Sequence, residues 1–401
     1  MNSVVRQMWE QNTDVVMVDT GNSYEGLCEY VGGKYISYTD EHPITMNPFA
    51  IKREELNIEK IGFLKNLVML IWKGTQGEVT KTEDRLIEQV ITEYFDEYFM
   101  KKQIENLSFN TFYEYSTVRI PQIIKENNLA GIDLASYNYL LKDFYKGGSH
   151  ELTLNENLDT KLFDETFIVF EIDSIKDDPL LFPLVTLIIM DVFIQKMRIK
   201  KNRKVLVIEE AWKAIASPMM AEYIKYLYKT ARKFWASVGV VTQEIQDIVG
   251  SPIVKEAIIN NSDVVMLLDQ SKFRERFDEI KAILGLTDVD CKKIFTINRL
   301  ENKEGRSFFR EVFIRRGSVG GVFGVEEPHE CYMTYTTERA EKEALKLYKK
   351  ELQCDHQHAI EAYCRDWELS GIIKSLPFAQ KVNQTGHVLN LKPKRKFDEY
   401  M

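Results

Sequence analysis

Residues 204–212, KVLVIEEAW, restrict the fold of this chain more than any other stretch. Val205, Leu206, Val207 and Ile208 run without polar alternation and stop at two carboxylates, Glu209 and Glu210. An unalternated, largely β-branched run fits a strand covered on both faces, as strands of parallel sheets are. Carboxylates directly behind it then stand at the carboxyl end of the sheet, where open α/β folds bind ligands. A plainer reading makes the pair the first turn of a helix, where the helix dipole favours acids. On this segment alone both readings stand.

Other segments repeat the pattern. Residues 15–18 are a short apolar run leading into Asp19 and the loop-like DTGNSY, and residues 237–242 (SVGVVT) end at Gln243. Residues 166–172 (TFIVFEI) and 263–268 (DVVMLL) read as further buried strands, and residues 34–38 as a strand-like piece. Helical periodicity separates them. Val4, Val5, Met8 and Trp9 recur at helical spacing, residues 180–200 form a long apolar helix, and residues 219–234 and 251–260 form two more. Strands alternating with helices imply parallel βαβ units, hence an α/β fold. Asp19, the Glu209–Glu210 pair and Gln243 are then expected on one rim of a single sheet.

Four regions follow from the changes in character along the chain. Residues 1–51 are the first part of the α/β domain. Residues 52–150 read as an all-helical insertion, with helices over 58–72, 82–101, 120–128 and about 135–145, and a loop at 108–117. Residues 151–336 resume the α/β pattern. After helices at 273–284 and 288–296, they close on a hairpin: a strand at 307–315, a turn at 317–324 and a strand at 330–336. Residues 337–401 hold a helix over 337–367 and a solvated tail, KPKRKFDEYM.

Bulk properties exclude several classes. A net charge of −8 and a pI of about 5.5 give no pointer to DNA contact. The most apolar run, residues 180–193, is too short to cross a bilayer, and the first residues lack the apolar core of a signal peptide. Five scattered cysteines, an odd number without CxxC, fit free thiols in a reducing compartment. The grouping of Cys354, His356, His358 and Cys364 matches no common zinc spacing.

The segment around Glu209 resembles a Walker B motif, in which the first acid helps hold Mg²⁺ and the second polarises the attacking water. More broadly, VVMVDTGNSYEGLC, VLVIEEAWKAIASPMMAEYIKYLYKTARKFWASVGVVTQEIQDI and NNSDVVMLLDQS resemble conjugation ATPases of the TraG type. These belong to the Bacteroides conjugative-transposon branch of the type IV secretion ATPases, and the resemblance covers nearly the whole chain. It implies a RecA-like P-loop NTPase core, related to FtsK and HerA, with an inserted all-helical domain. It also implies ATP hydrolysis, with ATP and Mg²⁺ as cofactors, energising DNA or protein transfer from the cytoplasmic side of the inner membrane. Partners would be other secretion components and, in the full-length form, further copies in a homo-hexamer. By the same resemblance Glu209 matches the metal-associated acid, Glu210 the catalytic base, Gln243 the γ-phosphate sensor and Asp19 a nucleotide-side residue. Arg232 matches an arginine that reaches a neighbouring subunit's nucleotide, with Arg274 and Arg276 as rivals. Glu209 departs from the usual Asp by one methylene.

Neither GxxxxGK[ST] nor GxGxxG occurs in the 401 residues. A P-loop works because its glycines let backbone N–H groups cradle phosphates, while its Lys and Ser/Thr complete the site. In the resembling family that loop lies just upstream of a helix like the one at residues 1–12. The chain is therefore expected to be a C-terminal portion starting just after Walker A, binding ATP weakly or not at all by itself. The alternative is a non-hydrolytic RecA-like docking module of the same machinery. A dinucleotide enzyme is disfavoured by the missing glycine fingerprint.

Overall fold

The computed structural model describes residues 1–39, 41–102, 106–157, 160–210, 218–242, 258–299 and 309–390. The chain forms two compact units. A C-terminal unit contains residues 1–11 with α1 (Asn2–Glu10), residues 22–35 with α2 (Glu25–Tyr30), and residues 262–401. A sheet unit contains residues 12–21 and 36–261.

The sheet unit is built on five strands: β1 (Thr13–Asp19), β2 (Lys34–Ser37), within which the unit boundary falls, β3 (Phe167–Glu171), β4 (Arg203–Glu209) and β5 (Ala236–Val241). Their order is β2-β3-β1-β4-β5. β1 pairs parallel with β3 and β4, and β4 parallel with β5. β1 and β3 are buried along their whole length and β4 from Lys204 to Ile208, as unalternated apolar runs require.

Between β2 and β3 the regular elements among the described residues are helical: α3 (Ile58–Lys73), α4 (Lys81–Phe95), α5 (Phe109–Asn127), α6 (Leu134–Leu141) and α7 (Glu151–Asn155). The starts are capped as the sequence suggests. Asn57 accepts from the Lys60 N–H at 2.9 Å, and Thr80 and Glu83 form a reciprocal capping box. Burial pushes the Glu83 carboxyl up, but hydrogen bonds from Lys73 and Thr80 hold it below the ordinary glutamate value. Residues 108–117, expected as a loop, are instead the first half of α5. Ser108 caps it, and Phe109, Phe112 and Ser116 are buried. The Phe49 and Phe112 rings stack at 4.8 Å. Aromatic burial here overrides the modest helix propensity of Phe, Asn, Thr and Tyr.

α8 (Leu181–Ile199) is apolar on all sides and accordingly buried from Leu181 to Ile194. It packs on both β1 and α3, so sheet and helical segment share one core. Its two charged core residues are each answered: Asp191 by Lys60 at 2.8 Å, and Lys196 by Asp14 at 2.9 Å. α9 (Pro218–Ala231) then carries the chain back to the amino end of β5.

The C-terminal unit differs more from expectation. β6 (Val264–Leu267) is not a buried parallel strand. It pairs antiparallel with β7 (Arg310–Arg316), which pairs antiparallel with β8 (Val319–Val325). Between β6 and β7 lie α10 (Phe277–Leu284) and α11 (Asp288–Ile294). The hairpin is therefore β7–β8: the stretch expected as a turn is mostly strand, and of residues 330–336, expected as a strand, all but Thr336 are helical, in α12 (His329–Tyr335). The helix expected over 337–367 is two, α13 (Arg339–Leu352) and α14 (His356–Ser370). They are separated at Gln353, whose φ of +50° ends the first, and Asp355, which caps the second. With α15 (Ser375–Thr385) they enclose Tyr348, Tyr363, Trp367 and Phe378. The tail at 391–401 and most of the helix expected at 251–260 lie outside the described residues. Among the described residues no helix is long and apolar enough to cross a membrane.

Candidate functional site

Parallel pairing decides which strand ends meet. Asp19 lies opposite Glu171, and Glu209 lies opposite Val241. One step past the Val18–Ile208 pair stand Asp19 and Glu209. Neighbouring strands run about 4.8 Å apart, so these three acids close adjacent strands at one rim of the sheet. The ladder holds up to this rim: the Ile172 N–H donates to the Asp19 carbonyl at 3.0 Å, and the Tyr38 N–H to the Glu171 carbonyl at 2.8 Å.

The carboxylates are not equivalent. Asp19 is 0% and Glu171 3% exposed, whereas Glu209 and Glu210 are half-buried and so open to an incoming group. Glu171 Oε1 accepts from the Asp173 N–H at 2.8 Å, which ties that side chain to the turn after β3. Glu210 leaves the strand with φ +48°. A left-handed backbone is costly for a residue with a Cβ, and such strain concentrates where a site needs a side chain re-aimed.

As donors, these carboxylates suit a hard divalent cation. Mg²⁺ typically takes one or two carboxylates and completes its octahedron with water and phosphate oxygens. Among the described residues no group of three or more His, Cys, Asp or Glu stands arranged to hold an ion.

Of the residues singled out from the sequence, Asp19, Glu209 and Glu210 come together. Gln243 lies outside the described residues, although β5, which leads to it, runs beside β4 up to this rim. Arg232 sits in the 3-10 turn Arg232–Phe234, exposed, immediately before β5. Because β5 runs parallel to β4, that is the amino rim, about 20 Å from Glu209 at ~3.3 Å per residue. Arg232 therefore cannot act on the carboxylates of its own chain. Arg274 lies within the C-terminal unit, over the Phe295 ring at 4.9 Å; the Arg276 side chain lies outside the described set. Sequence reading missed Glu171, although an acid closing an apolar strand was its visible signal.

The family profile described as the TraG P-loop domain matches residues 1–367. Protein TraC of Escherichia coli (strain K12) is 22% identical over 295 residues, 69% of this chain and 31% of TraC. The chain thus spans under a third of that relative's length. Among solved structures, VirB4 of Thermoanaerobacter pseudethanolicus aligns with a TM-score of 0.62 at 19% identity, over 83% of this chain and 87% of that one. The plasmid coupling protein TrwB, solved in complex with ADP and Mg²⁺, aligns with a TM-score of 0.50 at 11% identity, over 81% and 80%. Identities this low show the fold alone: an α/β, RecA-like P-loop core.

Proposed function

The chain belongs to the TraG P-loop domain family, and from that premise we propose that it is motor-core sequence of a conjugation ATPase that energises transfer through a type IV secretion system. One observation carries the proposal: parallel strands β1, β3 and β4 end side by side in Asp19, Glu171 and Glu209, with Glu210 turned out of the sheet next to them.

In this reading Glu209 and Asp19 face the metal side of a nucleotide such as the ADP and Mg²⁺ held by TrwB. Bound there, Mg²⁺ would offset charge on the phosphates. Glu210, carried off the strand by its left-handed backbone, accepts a proton from the attacking water. Gln243 reports on the γ-phosphate. Arg232, on the opposite rim, reaches a nucleotide only if that nucleotide is held by another copy. The motor would work at the cytoplasmic face of the inner membrane, with other secretion components and in a ring of copies.

No GxxxxGK[ST] is present in these 401 residues, so Mg-ATP binding by this chain alone is expected to be weak. The same fact favours a second reading, a non-hydrolytic docking module. One experiment separates the two. The chain is assayed for Mg-dependent phosphate release by itself and behind a strand–GxxxxGK[ST] segment from a family member, each with Glu210→Gln as control. The motor reading expects release in the joined form and its loss in the control. Equal release in wild type and control would remove it.

A further inference from the structure

The sheet's amino rim carries the opposite charge. Residues 198–204 (RIKKNRK) hold five cations and no acid; residues 229–235 (KTARKFW) hold three cations and no acid. Separate in sequence, they are brought side by side by parallel pairing. Lys204 lies opposite Ala236, its N–H donates to the Trp235 carbonyl at 3.0 Å, and its Nζ donates to the Phe234 carbonyl at 3.3 Å. Arg198 is answered by Glu59, and Lys200 by Asp164 at 2.5 Å. Lys201, Arg203, Lys229 and Lys233 are exposed and, among the described residues, meet no acid. In a chain of net charge −8 this is a local concentration, not an average surface.

Trp235 belongs to the same rim. It is 72% exposed with φ +55°, a backbone hand that glycine or asparagine adopts far more readily. Ile199, 59% exposed, ends α8 just before the first basic segment. Folding gains little from a tryptophan that is both left-handed and uncovered. A partner that takes up the ring accounts for it.

We infer that this amino rim docks on an anionic lipid surface. Lys201, Arg203, Lys229 and Lys233 meet headgroup phosphates, and Trp235 and Ile199 enter the headgroup–acyl boundary. Lysine and arginine clusters of this size are drawn to anionic leaflets, and tryptophan prefers the interface. The aliphatic Ile199 favours lipid over nucleic acid, since it gains nothing from base stacking or from phosphate, whereas an acyl boundary accepts it. Orientation follows from the same strands: an anionic plane attracts the amino rim and repels Asp19, Glu171, Glu209 and Glu210 at the other end. The inference does not depend on nucleotide hydrolysis, and its test contains no nucleotide.

The chain is sedimented with vesicles of phosphatidylcholine alone or with about one-third phosphatidylglycerol, at ~0.02 and ~0.15 M salt. Binding is expected only to the anionic vesicles, and less at the higher salt. Charge reversal at Lys201, Arg203 and Lys233 should weaken it about 100-fold. The same charge change at Lys81, Lys125 and Lys142, on the helical segment, should not. Arg232 is left unchanged, because a separate role across an assembly is proposed for it. Trp235→Gly should weaken binding about 10-fold while the melting temperature holds or rises. The inference is overturned by absence of binding, by equal binding of the two triple variants, or by a fall in stability of Trp235→Gly. Displacement from vesicles by a single-stranded oligonucleotide of ~20 nucleotides at equal concentration would overturn it in favour of nucleic acid.

Discussion

The two rims of the five-stranded sheet are made by the same strands and share little else. At the carboxyl rim, β1, β3 and β4 end in Asp19, Glu171 and Glu209. At the amino rim, β4 and β5 are entered through RIKKNRK and KTARKFW. Leaving aside asparagine, which takes that backbone more readily, each rim carries one non-glycine residue in the left-handed region: Glu210 just after β4 and Trp235 just before β5. A parallel sheet sorts what lies before its strands from what lies after them onto opposite edges. Charge that nearly cancels along the chain is thereby separated in space, and each edge is free to meet a different kind of partner.

What supports the edges differs too, and the largest predicted effect tests this. Under the amino rim, Lys196 is wholly buried with Nζ on Asp14 at 2.9 Å and on the Phe163 and Glu165 carbonyls at 2.9 and 2.5 Å. Asn202 donates to Asp14 at 2.6 Å. Lys196→Met takes from the buried Asp14 its direct ion-pair partner, at a cost of about 4 kcal/mol in chemical denaturation. A loss below about 1 kcal/mol would mean that water or relaxation takes the lysine's place. Glu210→Gln, at the carboxyl rim, should cost almost nothing in stability. It should lower phosphate release of the loop-joined chain about 100-fold, or ~2.7 kcal/mol in barrier. If Glu210→Gln unfolds the protein, the contrast between a supporting edge and a working edge fails.

How much of this was legible depended on whether the signal was local. The strands of the sheet were readable because β1, β3 and β4 are continuous apolar runs, a pattern that burial on both faces demands. The carboxyl rim followed, since each acid is adjacent to its strand in sequence. The amino rim did not follow: its halves lie about 25 residues apart and join only through the Lys204–Ala236 register, while the net charge points the other way. β8 was misread because VGGVFGV has the composition of a turn. Its glycines serve close approach instead: a Cβ on Gly320 would stand 2.5 Å from the Phe313 ring. α12 was misread because HECYMTY is rich in strand formers, yet Met333 and Thr334 are buried on one side of a helix that starts after Pro328.

A smaller effect compares the two left-handed residues directly. Glycine at either position removes the strain of a Cβ in that region and should add about 1 kcal/mol to stability. Glu210→Gly should show this gain together with loss of phosphate release, and Trp235→Gly together with loss of vesicle binding. Strain held at both edges for the sake of two partners predicts both exchanges. A stability loss in either variant would show that residue to be structural.

The smallest effect concerns pH and rests on Lys204, which is 1% exposed beneath the amino rim. Burial pushes its ammonium below the usual lysine value; Asp14 opposes the shift, and Lys196 adds to it. The folded state therefore holds this proton less tightly than the unfolded chain, whose lysine titrates near 10.5. Between the two values the unfolded state binds more protons, so the Lys204 contribution to stability grows as pH rises toward 10.5 and is lost as pH falls through the folded value. Buried phenols act in the opposite sense: burial raises the Tyr223 hydroxyl well above 10, which erodes stability in alkali. The total profile mixes the two, so the informative quantity is the difference between wild type and Lys204→Met across the alkaline range. Wild type should gain on the variant as pH rises. A difference that stays flat from neutrality to pH ~10.5 would mean that the lysine keeps its ordinary proton affinity, and that the charge beneath the amino rim is solvated.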